Sequence, residues 1–238
     1  MILYGRNPVR EALRGRRASG VREVWATSGA AREPWLRDVS VRTATGEEIE
    51  ARCGSSAHQG ICADAGPYRY ASADELLGGD APLIVALDQV QDPQNLGSIC
   101  RTAECVGAAG VVIPERRAAE VTPAVCKASA GAVEHLAVAR VRNMADFLGE
   151  AREAGCWCYG ASAEDGERPA VPYDRPDYRG SGVVLVLGSE GNGLRPRVAG
   201  ACDELISLPL NGRIESLGVS AAASALLYGI LQNRSRGA

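Results

Sequence analysis

The sequence predicts an α/β protein in two parts: a small amino-terminal α/β unit and a larger unit built on a parallel sheet. Three observations predict it. Beyond residue 82, short apolar runs alternate with helical patterns, the signature of a parallel sheet with crossover helices. The stretch from Gly66-Pro67 to Asp80-Ala81-Pro82 is polar and small, with Gly78-Gly79 inside it, and divides the chain into residues 1–66, a linker over 67–82 and a unit over 83–238. The chain has 238 residues and is 46% hydrophobic, enough for a medium domain plus a small one.

In the first part, Asn7-Pro8 opens a helix over Val9 to Leu13. Val21 to Trp25 alternates like a half-buried strand, and an irregular region and a short strand follow. In the second part, strands are expected at Leu83–Leu87, Gly110–Ile113, Leu136–Val141, Cys156–Tyr159, Val183–Leu187 and Leu205–Leu208. Helices are expected near Leu96–Val106, Pro123–Gly131, Met144–Ala154 and Ser216–Gln232. Glu164 to Ser181 is rich in Gly, Pro and charge and reads as a long surface loop.

Composition excludes several functions. No apolar run is long enough for a bilayer, and Arg6 interrupts the start before any leader-like run forms, so a cytoplasmic protein is expected. The eight cysteines include no Cys-x-x-Cys pair, and His58 and His135 are the only histidines, so no metal site is expected. The formal charge of -3 argues weakly against indiscriminate nucleic-acid binding. Locally, however, Met1 to Arg22 carries six arginines against the single Glu11, a net of +5 that suits phosphate. Nearly all the positive charge is arginine, which grips phosphate bidentately; a compositional bias of the genome explains the same usage.

Parallel sheets bind ligands at the carboxyl ends of their strands. Three segments lie there: Gln91-Asp92-Pro93-Gln94-Asn95-Leu96-Gly97-Ser98-Ile99-Cys100-Arg101, Gly188-Ser189-Glu190-Gly191-Asn192-Gly193-Leu194, and Leu208-Pro209-Leu210 leading to Ser216-Leu217-Gly218-Val219-Ser220. On a helix, Leu96, Ile99, Ala103 and Val106 share one face and Arg101 points away from it, either to a ligand or to a surface pair with Glu104. Asn95 reads as a turn residue or helix cap. The glycines at 188, 191 and 193 do not follow the dinucleotide-binding order. Glu190 reads as a general base or as a loop carboxylate bonded to nearby amides.

Together, in order and separation, the three segments resemble the three motifs of the SpoU family of RNA ribose methyltransferases. The match runs through Asn95, Gly97 and Arg101; Gly188, Glu190, Gly191 and Gly193; and Pro209, Ser216, Leu217, Val219 and Ser220. It covers Leu83 to Gln232. The start, Tyr4 to Leu13, and His58-Gln59-Gly60-Ile61 are similar to the small ribosomal-protein-like RNA-binding domain that many members carry, with His58 in a structural place.

The resemblance implies a SPOUT-type α/β catalytic domain with a carboxyl-terminal trefoil knot, a homodimer with its active site completed across the interface, and S-adenosylmethionine as cofactor. It implies cofactor contacts from Leu187, Gly188, Gly193, Leu208 and Leu217, and catalytic roles for Asn95, Arg101, Glu190 and Ser216. With it, Arg6, Arg10 and Arg14 are the expected RNA-binding residues. The implied substrate is a ribose 2'-hydroxyl in RNA, ribosomal RNA foremost and transfer RNA second. One position departs: many members have Ser-Leu-Asn-Val where this chain has Ser216-Leu217-Gly218-Val219. That leaves a second expectation, a catalytically weak RNA-binding or ribosome-assembly factor on the same fold.

Overall fold

In the computed structural model, which describes residues 1–162, 169–214 and 216–236, the chain opens with β1 (Ile2–Tyr4) and α1 (Arg6–Ala12). β2 (Glu23–Ala26), β3 (Val41–Thr43), α2 (Gly46–Cys53) and β4 (Ile61–Asp64) follow, giving a sheet of order β1-β4-β2-β3. The expected half-buried alternation in the second strand is absent, because Val24, Trp25 and Ala26 are all buried. Val24 and Ala26 face the main core while Trp25 packs with Ile49 and Cys62 beneath α2. That helix corrects the irregular region expected there, and its start is a capping box: Thr45 accepts from the Glu48 amide and Glu48 accepts from the Thr45 amide. His58 is structural, its Nδ1 accepting from the Gly60 amide.

The segment expected as a linker is instead packed onto the larger unit. The Tyr68 hydroxyl donates to the Val133 carbonyl at 3.1 Å, and Tyr70 accepts from the Val121 amide at 3.0 Å. α3 (Ala73–Leu77), capped by Ser72, buries Leu76. Two tyrosines and a leucine supply anchors that the polar average of the stretch hides.

The larger unit holds β5 (Leu83–Asp88), α4 (Pro93–Cys105), β6 (Gly110–Pro114), α5 (Pro123–Ala128), β7 (Ala137–Val141) and α6 (Met144–Glu153). β8 (Cys156–Ala161), β9 (Val171–Pro172), β10 (Gly182–Gly188), α7 (Pro196–Ala201), β11 (Glu204–Ser207) and α8 (Val219–Ser235) complete it. The sheet is wholly parallel, in the order β7-β6-β5-β10-β8-β11-β9. β5 is buried throughout and β10 nearly so, since both sheet faces are covered. Leu83, Val85 and Leu87 meet α4 and α8 on one side; Ile84 and Ala86 meet α6 on the other.

The expected surface loop after β8 needs correction. Residues 164–168 of that stretch lie outside the described residues, and the rest, though largely exposed, is pinned to the core at Tyr178 and β9. Tyr178 is 1% exposed; its hydroxyl donates to the Tyr173 carbonyl and its amide to Asn233 Oδ1. Arg234 of α8 donates to the carbonyls of Tyr178, Ala81 and Ser181. α8 therefore runs past its expected end to reach these partners.

The two units meet through a buried ion pair. Arg17 donates from Nε (2.8 Å) and Nη2 (2.5 Å) to Glu134, whose side chain has 0% exposure, and the Arg16 amide donates to the Glu134 carbonyl at 2.7 Å. At the rim, Arg16 pairs with Glu75 and His135 with Glu11. Burial opposes ionisation of Glu11, but the bonds from His135 and Arg10 outweigh it and hold its carboxyl below the usual range. Such a group contributes stability above its unfolded value, 4.5, that is lost as pH falls through the folded value. Thermal melts of Glu11→Gln are therefore expected to lie below wild type at neutral pH and to converge with it under acid conditions; a constant gap at all pH values would contradict this.

Candidate active site

β5 and β10 lie side by side, with Asp88 opposite Gly188, and their loops leave from the same edge. Asp88 ends an apolar strand at the centre of the sheet and has 0% exposure, so it requires a partner. Arg195 provides one: its amide donates to Oδ2 at 3.0 Å and its Nε to Oδ1 at 2.8 Å. This link ties the chain after the glycine loop to the end of β5. The sequence reading missed it, although a carboxylate closing a buried run was the available signal.

The glycine loop is a tight turn. Ser189 and Gly193 exchange amide-to-carbonyl bonds of 3.1 and 3.0 Å, and Gly191 and Gly193 hold φ of 81° and 60°. A Cβ on Gly188 would overlap the Gly193 carbonyl group. The turn presents Glu190 at its tip. Across the crevice, Asp92 caps α4 by accepting from the Gln94 and Asn95 amides, which fixes the first helical turn. The Asn95 side chain then donates from Nδ2 to Glu190 Oε1 at 3.0 Å. Gly218 closes this group: a Cβ there would stand 3.6 Å from Glu190 Oε1, an ordinary contact, and its φ of -55° demands no glycine.

The third segment leaves β11 at the same edge. Over residues 208–214 and 216–217, no backbone group hydrogen-bonds to another backbone group of the described residues. Leu208 is partly buried against the core, while Leu210, Ile214 and Leu217 are 39, 76 and 48% exposed. Free peptide groups beside exposed apolar side chains are what an adenosine-bearing ligand needs: backbone donors and acceptors for the base edge and apolar contacts for its faces. The residues present fit such a group.

The structure thus brings Asn95, Glu190 and Gly218 together, with Leu187, Gly188, Gly193 and Leu208 at the same strand ends. Arg101 and Ser216 are exposed and bond to none of these groups; among the described residues Arg101 makes no pair with Glu104. Arg6 and Arg10 are engaged by Glu33 and Glu11 at 2.6 Å, and Arg17 is buried, so most of the amino-terminal positive charge is neutralised internally. Arg14 is exposed and unpaired among the described residues. The same residues contain no cluster of metal-binding groups; burial pushes the Cys100 and Cys126 thiols up to about 12, which keeps them protonated.

A doubly covered parallel sheet, with a small α/β domain docked at one side and three loops gathered at one edge, defines a two-domain α/β protein with a ligand crevice at its strand ends. The SpoU rRNA Methylase family matches residues 82–228, and residues 2–71 match the family described as RNA 2'-O ribose methyltransferase substrate binding. YacO of Bacillus subtilis, named as a TrmH family tRNA/rRNA methyltransferase, is 43% identical over 186 residues, 74% of this chain and 71% of that protein. A Staphylococcus haemolyticus protein named for the same family is 34% identical over 254 residues, 98% and 96% of the two chains. The crystal structure of an AdoMet-bound rRNA methyltransferase from Sinorhizobium meliloti superposes with a TM-score of 0.79 at 25% identity, covering 97% of this chain and 86% of that one. The chain belongs to the SpoU rRNA methylase family.

Proposed function

We propose that the chain transfers a methyl group from S-adenosylmethionine to a ribose 2'-hydroxyl of RNA, with ribosomal RNA as the substrate. The observation that carries this reading is the Asn95–Glu190 bond across the β5/β10 crevice, beside the backbone of residues 208–214 and 216–217, unpaired among the described residues. Bound S-adenosylmethionine supplies the reactive methyl group. Gly188, Gly193, Leu187, Leu208 and Leu217 hold it, through peptide groups and apolar contact. Asn95 fixes one Glu190 oxygen and leaves the other to orient the ribose hydroxyl. Ser216 borders the same hydroxyl. Arg101, a permanently cationic guanidinium with no lone pair to spare for a proton, clamps a phosphate and steadies the developing alkoxide.

The site is completed by a second copy. α8 exposes Ala221, Ala225 and Tyr228 on one face, continuous with exposed Leu217, and Thr102 of α4 bonds to Ser224 of α8 at 3.0 Å, so Arg101 borders that face. A homodimer through α8 places Arg101 at the interface, and the cofactor loops form the family's trefoil knot. A cytoplasmic location fits an RNA substrate, and no helix of the described residues is long and apolar enough to cross a membrane.

Alkaline hydrolysis tests the ribose assignment. A 2'-O-methyl group protects its phosphodiester, so label from methyl-tritiated S-adenosylmethionine is expected in alkali-resistant dinucleotides; label in mononucleotides means base methylation. Gly218 favours a second reading, an assembly factor with weak catalysis. Its open geometry admits Asn, whose amide reaches Glu190. Gly218→Asn is expected to keep the fold and raise kcat by up to about tenfold, the worth of one hydrogen bond. A fall in kcat in single-turnover assays would show that the site needs the space.

A further inference from the structure

We infer that the loop after β6 and the end of β7 form a phosphate-gripping track for the RNA substrate, carried by Arg116, Arg117 and Arg142. The inference rests on the RNA-methylating reading above and moves its main backbone contact from α1 to the catalytic domain. All three arginines are exposed, and none has an ion pair among the described residues. They lie at the carboxyl ends of β6 and β7, the same edge of the parallel sheet as the Asn95–Glu190 crevice. The loop is fixed at both ends. The Glu115 amide donates to the Val141 carbonyl, directly before Arg142, and the Ala119 amide donates to the Val90 carbonyl, two residues before the cap of α4; both bonds are 2.9 Å. The track therefore begins in hydrogen-bond contact with the loop that leads into Asn95.

Arg117 holds φ of 58°, a conformation costly for a side-chain-bearing residue and kept only where its surroundings impose it. Nearby acids do not cancel the charge: Glu120 is taken by Arg140, and Glu115 and the helix-capping Asp92 remain against three arginines. In a chain of net charge -3 this concentration is local. Exposed guanidinium groups on adjoining strand ends suit the ribose-phosphate backbone rather than base edges.

The test is the salt dependence of binding between the full chain and unmodified, transcribed large-subunit ribosomal RNA. The triple variant Arg116→Gln, Arg117→Asn and Arg142→Gln is compared with Arg236→Gln. The latter lies beyond Arg234, which bonds the chain just before β5 and β10 at the opposite edge. Each lost phosphate contact lowers the log–log slope by about 0.7 to 0.9, so the triple variant is expected to lose about 2 and the control none. S-adenosylmethionine affinity, read by calorimetry, is expected to stay at the wild-type value in both. Should the triple variant fold poorly, Arg116→Gln with Arg142→Gln leaves the constrained position intact and is expected to lose about 1.5. A wild-type slope in either variant overturns the track alone; a wild-type protein that binds no RNA overturns the RNA reading and the track with it.

Discussion

Arg17→Met is expected to destabilise the protein by about 3 to 5 kcal/mol, because it strands a buried carboxylate. Glu134 has 0% side-chain exposure and both its oxygens accept from Arg17, so removing the guanidinium leaves a buried charge with only the weak Cys126 thiol beside it. Arg17 also lies over the Tyr68 ring at 5.1 Å, and its Nη2 lies 4.0 Å from Cys126 Sγ, so the pocket cannot readily refill with solvent. Urea unfolding measures the loss. Replacing both partners, Arg17→Met with Glu134→Leu, is expected to recover most of it, since an apolar pair of similar volume costs no ionic desolvation. Equal loss in the single and double variants would mean that packing, not the stranded charge, holds the two units together.

Gly188→Ala is expected to lower turnover by about 100-fold or more, through displacement of the glycine turn. The added methyl meets the Gly193 carbonyl group, and that group belongs to the reciprocal Ser189–Gly193 pair that shapes the turn. Relief requires the turn to move, which separates Glu190 from Asn95 and shifts the backbone assigned to the cofactor. Calorimetry with S-adenosylmethionine, alongside thermal melts, separates the two effects: lost binding with a retained cooperative transition is expected. Unchanged binding would remove Gly188 from the cofactor site.

The parallel sheet was legible because β5 and β10 are continuous apolar runs, each followed by turn residues, and a doubly covered sheet leaves no other place for them. The docking of the amino-terminal domain was not. Arg17 and Glu134 are 117 residues apart, so a run of arginines that reads as a phosphate surface contains one member committed to the core and four paired with acids. Local charge counts cannot reveal tertiary pairing. The same limit applies to Asn95 and Glu190, 95 residues apart: spacing allowed a cap and a loop carboxylate, and only the likeness of three motifs placed them in one site. The arginines after β6 went unread because their importance depends on which edge of the sheet they share. α2, expected as irregular chain, is a different kind of miss, since its capping box is a local signal that the sequence contains in full.

We propose that the crevice joined by Asn95 and Glu190 methylates RNA ribose. The most direct measurement incubates the purified chain and its Glu190→Ala variant with S-adenosylmethionine and, separately, unmodified ribosomal and transfer RNA, followed by complete digestion and nucleoside mass spectrometry. A 2'-O-methylated nucleoside from ribosomal RNA, formed by the wild type and reduced at least about 100-fold in the variant, is the expected result. A methylated base, or equal product from both proteins, would contradict it.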